Sequence, residues 1–233
     1  MLITQFNELK PRMRTGDVIL FQTDGTWKAP DTVLIPAAIR KASQSPWSHI
    51  AVIIAYRLIE RPNWKEAGGP PEMWVAYDSP MIMENTVAVW IQLAHATKHG
   101  GVHTELGSTV LQNHKGVAAW VPLDHIKAYG MNPNYQSKIH ALSLKTDGLK
   151  YAEENLFRSI KLFRYFLRQQ LNAFTCSQCA ELFYLACGFP VIRHSTPAGV
   201  VEHGIFTRDV DGEIIGRLLV ADQSAKFKLY NKT

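Results

Sequence analysis

Thr175-Cys176-Ser177-Gln178-Cys179-Ala180-Glu181-Leu182-Phe183-Tyr184-Leu185-Ala186-Cys187-Gly188 is the segment around which the rest of the chain is organised. It predicts a helix with Cys176 in its first turn. Thr175 is a residue of N-cap type, and Gly188 followed by Pro190 ends the run. On a wheel of about 100° per residue, Cys179, Ala180, Phe183, Ala186 and Cys187 fall within roughly 80° of Cys176. Gln178 and Glu181 fall on the opposite side. The helix is amphipathic, and Cys176 is expected at the exposed start of its buried stripe. A thiol there meets unpaired backbone N–H groups and the positive end of the helix dipole. Both favour the thiolate, which is the nucleophile. The same N–H groups can stabilise an oxyanion.

Free cysteines are commonly small buried hydrophobes, and Cys179 and Cys187 are expected to pack in the core. The Cys176-x-x-Cys179 spacing also matches a redox motif, but that motif needs a preceding β-strand. Leu167-Arg168-Gln169-Gln170-Leu171-Asn172 does not read as one. A zinc site is disfavoured because no second ligand pair stands at suitable spacing.

The 233 residues suit one domain with insertions, and 46% apolar with 19% charged residues is an ordinary globular composition. No run approaches the length of a membrane span. The first residues, Met1 to Glu8, hold no basic region followed by an apolar core, so no secretory signal is read there. An odd count of three cysteines argues against a disulfide framework. The expectation is a cytoplasmic protein. A net charge of +5 permits an anionic partner without demanding one, and no nucleic acid is expected.

Working outward along the chain, Arg14-Thr15-Gly16-Asp17-Val18-Ile19-Leu20-Phe21 predicts a turn and a short apolar strand. Residues 36–42 suggest a short helix. His49 stands at the mouth of a continuous apolar run, Ile50 to Tyr56, expected to be a strand buried on both faces. Residues 60–72 are rich in Pro and Gly and read as a long hairpin loop. Met73 to Pro80 is the expected partner strand, with Asp78 near its end. Neighbouring antiparallel strands would bring Asp78 beside His49, where an imidazole-orienting acid belongs, although a strand-end Asp also serves as a turn former. Residues 81–97 show no clear period and read as an insertion. Strands are expected at 100–106 and 116–123, a helix at 134–145, and another element from Gly148-Leu149-Lys150-Tyr151. Residues 158–170 predict a basic amphipathic helix, with Arg158, Lys161, Arg164 and Arg168 on one side. Its apolar face suits the core, and its basic face suits an anionic lipid surface. Val210-Asp211-Gly212-Glu213-Ile214 suggests a hairpin with a two-residue Asp-Gly turn.

Taken in order, these pieces resemble the circularly permuted NlpC/P60 cysteine peptidases, papain-like proteins that include the YiiX-type hydrolases and are akin to lecithin–retinol acyltransferase domains. Gly16-Asp17-Val18-Ile19-Leu20-Phe21 is similar to the opening Gly-Asp strand of that family. Ser48-His49-Ile50-Ala51-Val52 is similar to its Ser-His strand, Gly148-Leu149-Lys150-Tyr151 to its Gly-x-x-Tyr, and Thr175-Cys176-Ser177-Gln178 to its Cys helix start. Thr196-Pro197 falls where the family has Thr-Pro. The resemblance implies Cys176 as nucleophile and His49 as base. The family acid is more often Glu, and here it would be Asp78.

The expectation is therefore a single α+β domain over residues 1–233, a papain-like antiparallel sheet packed against the Cys helix, with insertions near 60–72 and 81–97. Its expected chemistry is cleavage of a peptide-like amide by Cys176, His49 and Asp78, with no metal or organic cofactor. Lipid acyl hydrolysis or transfer is the second expectation, as the acyltransferase relatives imply. A non-catalytic binding protein on the same fold is the third.

Overall fold

The computed structural model describes residues 2–23, 40, 44–60, 73–77, 86–97, 101–151, 173–191, 196–219 and 226–230. The strands are β1 (Val18–Thr23), β2 (His49–Glu60), β3 (Met73–Tyr77), β4 (Thr86–Thr97), β5 (Gly101–Leu106), β6 (Gly116–Val121), β7 (Lys150–Tyr151), β8 (Ala173–Phe174) and β9 (Arg217–Leu218). The α-helices among the described residues are α1 (Leu2–Leu9), α2 (Gly107–Asn113), α3 (His125–Met131), α4 (Tyr135–Thr146), α5 (Cys176–Ala186) and α6 (Pro197–His203). The class is α+β, as expected.

One antiparallel sheet runs in the order β5-β4-β2-β1-β6-β9. β2 is its spine. β1 pairs with the first part of β2, from His49↔Phe21 to Val52↔Val18. β3 pairs with the far part, from Tyr56↔Tyr77 to Glu60↔Met73. β4 runs along β2 from Val52↔Ala94 to Ile59↔Thr86, with one register shift between Leu58 and Ile59. The β2–β4 ladder thus starts three residues inside β2, and His49 is paired to β1 alone.

Residues 86–97, read from the sequence as having no clear period, are a regular strand. They form β4, because Val89, Ile91 and Leu93 are buried while Trp90 between them is 44% exposed, which is the period of a half-covered strand. The alternation is lost at Ala94-His95-Ala96, where all three residues are buried. Both faces of the sheet are covered at that end. The 61–72 loop, the 36–42 helix (Arg40 apart) and the 158–170 helix lie outside the described residues, as does Asp78.

Side-chain alternation divides the core into two layers. Val18, Leu20, Ile50, Val52 and Ile54 face a layer that includes Cys176, Cys179, Ala180 and Phe183 of α5 and Ile139 of α4. Ile19, Phe21, Ala51, Ile53 and Leu93 face the other layer, with Phe6 of α1, Met13 and Leu111 of α2. The long apolar run from Ile50 reflects this double burial.

The Gly16-Asp17 pair has a structural explanation. Gly16 turns the chain with φ +99°, a conformation that L side chains rarely adopt. Asp17 is fully buried and accepts four hydrogen bonds, from the Arg14 amide (2.9 Å), the Leu123 amide (2.8 Å), Trp120 Nε1 (2.9 Å) and His125 Nε2 (2.8 Å). It ties the entrance of β1 to β6 and to α3. Tyr184 of α5 donates to the Gly16 carbonyl at 2.8 Å, so the Cys helix is fastened to the same corner.

Further along the chain, Arg208 and Ile214 form an isolated antiparallel bridge outside the named strands. The turn between them is longer than the two residues expected. The Asp209 side chain accepts from the Asp211 and Glu213 amides, and Gly212 carries φ +79°. A loop closed by a left-handed Gly is the three-residue hairpin form.

Candidate active site

The start of α5 is built as its sequence predicts. Thr175 Oγ1 accepts from the Gln178 amide (3.3 Å), and Gln178 Oε1 accepts from the Thr175 amide (3.0 Å). This reciprocal pair is a complete capping box. At the other end, Gly188 takes φ +78°, its amide meets the Leu185 carbonyl, and the Phe189 amide meets the Tyr184 carbonyl. Those two bonds are the left-handed closure that glycine permits. The buried stripe holds Cys176, Cys179, Ala180, Phe183 and Cys187, whereas Ala186 is exposed and Glu181 is buried. The helix is enclosed on more than one side, because α4 and α6 pack on it as well as the sheet.

Cys176 is 3% exposed, not at an open helix start. Burial pushes its thiol pKa above the ordinary value. The Ile50 amide, the Ser177 hydroxyl and amide, and the amide of Cys176 itself meet the sulfur and pull the other way. Cys179 and Cys187 are buried, as expected, and burial raises their thiols to about 12 and about 11. All three cysteines are free. The two-residue strand β8 stands just before Thr175 and pairs in parallel with β7, while residues 167–172 lie outside the described residues.

His49 is the first residue of β2, as expected, but its ring lies among histidines. Its Nε2 stands 2.9 Å from His95 Nδ1. Its ring packs at 5.5 Å from Phe21 and 5.2 Å from the His95 ring. Desolvation, then the neighbouring His95, His114 and His103, holds its pKa well below the usual imidazole value. His95 falls to about 4, chiefly through burial, against an upward pull from Glu105.

The expected Cys176–His49 pair is not formed in this arrangement. His49 shares its parity on β2 with Ala51 and Ile53 and lies on the Phe21 face. Cys176 belongs to the opposite layer, with Ile50 and Val52. The sulfur reaches the backbone of Ile50 but no imidazole among the described residues. The thiolate-favouring direction expected for Cys176 is accordingly reversed. Asp78 lies outside the described residues, and Tyr77 beside it pairs with Tyr56, far along β2 from His49. The group that partners His49 is His95.

Sequence reasoning missed this cluster. His95 and His103 are direct cross-strand partners in the β4–β5 register. Glu105, two residues on, shares the face of His103. His103 Nδ1 meets the Gly101 carbonyl at 3.1 Å, and its Nε2 stands 3.3 Å from Glu105 Oε2. His114 packs edge-on to Phe21 at 5.0 Å, with its Nε2 3.2 Å from the Gln22 carbonyl. Of the seven histidines among the described residues, four gather here. The one local signal was His103-x-Glu105, the strand spacing that puts two polar groups on one face.

The chain matches no protein-family model, and no curated protein matches it.

Proposed function

We propose that the protein is a cysteine hydrolase acting on a peptide-like amide bond, with Cys176 as nucleophile. The observation that carries this reading is the set of amides around the Cys176 sulfur. A capped helix start and the Ile50 amide of a neighbouring strand converge on one atom. Donors so placed favour a thiolate and suit the oxyanion of an acyl intermediate. The order of Ser48-His49, Gly148 to Tyr151 and Thr175 to Gln178 adds the resemblance to permuted NlpC/P60 proteins.

In the proposed reaction the sulfur attacks the carbonyl carbon, and His49 takes the thiol proton. The tetrahedral oxyanion collapses, the C–N bond breaks, and the amine leaves with the proton from His49. Water then hydrolyses the thioester to acid and restores the thiol. The reacting conformation differs from the one described. The His49 ring must come round the end of β2 and exchange its bond to His95 for the thiol. Among the described residues the β2–β4 ladder begins at Val52, so His49 is held on that strand only by its pairing to β1. The acid role assigned to Asp78 stays part of the proposal, with His95 as the rival partner of His49.

Labelling with an acyl-mimicking electrophile, followed by peptide mapping, tests the reading. Cys176 should react at least about a hundredfold faster than Cys179 and Cys187, and His49→Ala should remove most of that excess. Equal labelling of the three thiols, or labelling only after denaturation, overturns the hydrolase. Selective labelling that is unchanged in His49→Ala overturns the role of His49.

A further inference from the structure

We infer that His95, His103 and Glu105 form a binding site for a divalent transition-metal ion, zinc foremost. The inference does not need the thiol, because its ligands lie on the other face of the sheet from Cys176, although the His49–His95 bond is common to both readings.

The three ligand atoms converge. His103 Nε2 lies 3.3 Å and His95 Nε2 lies 3.5 Å from Glu105 Oε2. One ligand atom from each of the three residues falls within 4.8 Å of the others. Tetrahedral zinc with bonds of about 2.0–2.2 Å sets its ligand atoms roughly 3.3–3.6 Å apart. The backbone explains the convergence. His103 and Glu105 are two apart on β5 and share a face, and His95 stands directly across the ladder from His103.

The protonation pattern points the same way. A carbonyl oxygen only accepts, so the bond from His103 Nδ1 to Gly101 fixes the proton on Nδ1. In the neutral ring Nε2 is then a lone pair facing a carboxylate oxygen. Two acceptors in that position call for a cation between them, or for a second proton on the ring. His95 supplies the independent observation. It is 4% exposed, and its buried Nε2 makes no well-formed hydrogen bond, the nearest acceptor being Glu105 Oε2 at 3.5 Å. Leaving such an atom unsatisfied is costly, and a metal satisfies it. Its Nδ1 is held by His49 Nε2, so the ring is aimed by the kind of outer hydrogen bond that metal-bound imidazoles use.

Two imidazoles and one carboxylate suit zinc and its first-row neighbours better than magnesium or calcium. Glu105 is 47% and His103 24% exposed, so the site opens to solvent on their side. A fourth position there would hold water.

The test uses the untagged full chain, stripped with chelator and then titrated with Zn²⁺ and, separately, Co²⁺. The expected result is one ion per chain, a rise in melting temperature with Zn²⁺, and a Co²⁺ absorption spectrum without a thiolate charge-transfer band. Glu105→Gln keeps shape at a half-exposed position, and it should weaken Zn²⁺ binding by about tenfold to a hundredfold, as should His103→Ala. Cys176→Ala and Cys179→Ala should leave binding unchanged. Substoichiometric binding, affinity that survives both Glu105→Gln and His103→Ala, or loss confined to the cysteine variants overturns the inference. Retained folding of the two ligand variants is checked by circular dichroism. Should His103→Ala unfold, Glu105→Gln decides alone.

Discussion

His49 Nε2 and His95 Nδ1 stand 2.9 Å apart, and this bond sets the direction of both rings. One ring stands on the first residue of β2, a residue paired to β1 alone, and the other sits on a buried residue of β4.

That bond should be measurable as a coupling. His49→Ala, His95→Ala and the double variant, compared by urea denaturation in chelator, form a double-mutant cycle. The coupling energy should be about 0.5–1.5 kcal/mol, the net worth of a typical hydrogen bond. Additive single effects would mean that the two rings merely lie side by side.

Asp17 should be the most sensitive polar position of the core. Asp17→Asn keeps the shape but turns an N–H₂ group toward donors from Arg14, Trp120, Leu123 and His125. A loss of about 3–5 kcal/mol is expected, as for breaking a buried charged partnership. Urea midpoints at constant m-value measure it, and a loss below about 1 kcal/mol would show that the corner tolerates rearrangement.

Thr175→Ala removes one half of the capping box, and should cost about 1 kcal/mol. It should also slow electrophile labelling of Cys176, because the first-turn amides lose their fixed orientation. Thr175→Ser, which keeps the acceptor, should restore both. Labelling that ignores the cap while stability falls would separate helix stability from thiol reactivity.

The buried thiol of Cys179 makes stability depend on alkaline pH. Its pKa in the folded chain is raised to about 12, above the ordinary thiol value of about 8.5. The folded state therefore binds the proton more tightly than the unfolded chain. The contribution is fully present below the unfolded pKa and fades as pH rises through that window. Between these values the slope approaches about 1.4 kcal/mol per pH unit for one proton. Urea midpoints from pH 8 to 11 should fall more steeply for wild type than for Cys179→Ala. Parallel curves would mean that the thiol is not desolvated.

The parts that local chemistry writes were legible in the sequence. Thr175, Gln178 and Gly188 mark the ends of α5, Gly16-Asp17 opens β1, and the strand at 116–121 and the helix at 135–146 follow from local pattern. β4 was hidden because Ala94-His95-Ala96 breaks the alternation that Val89, Ile91 and Leu93 display. The histidine cluster was hidden for a different reason. It depends on the register that sets His95 opposite His103, and no local period encodes that. The face of His49 turns on parity alone. One residue separates it from Ile50, and that single step assigns the two side chains to different layers.

β1 is buried on both faces and paired on both edges, to β2 on one side and to β6 almost a hundred residues downstream on the other. Its second edge therefore waits until about half of the chain has been synthesised, and closing so distant a contact makes assembly slow. Until Gly116–Val121 arrives, Val18-Ile19-Leu20-Phe21 presents an apolar template with open amides and carbonyls. Such an edge recruits any compatible strand, including its own copy on another chain. A chain truncated before residue 116 keeps that edge permanently, and self-association of such fragments begins there.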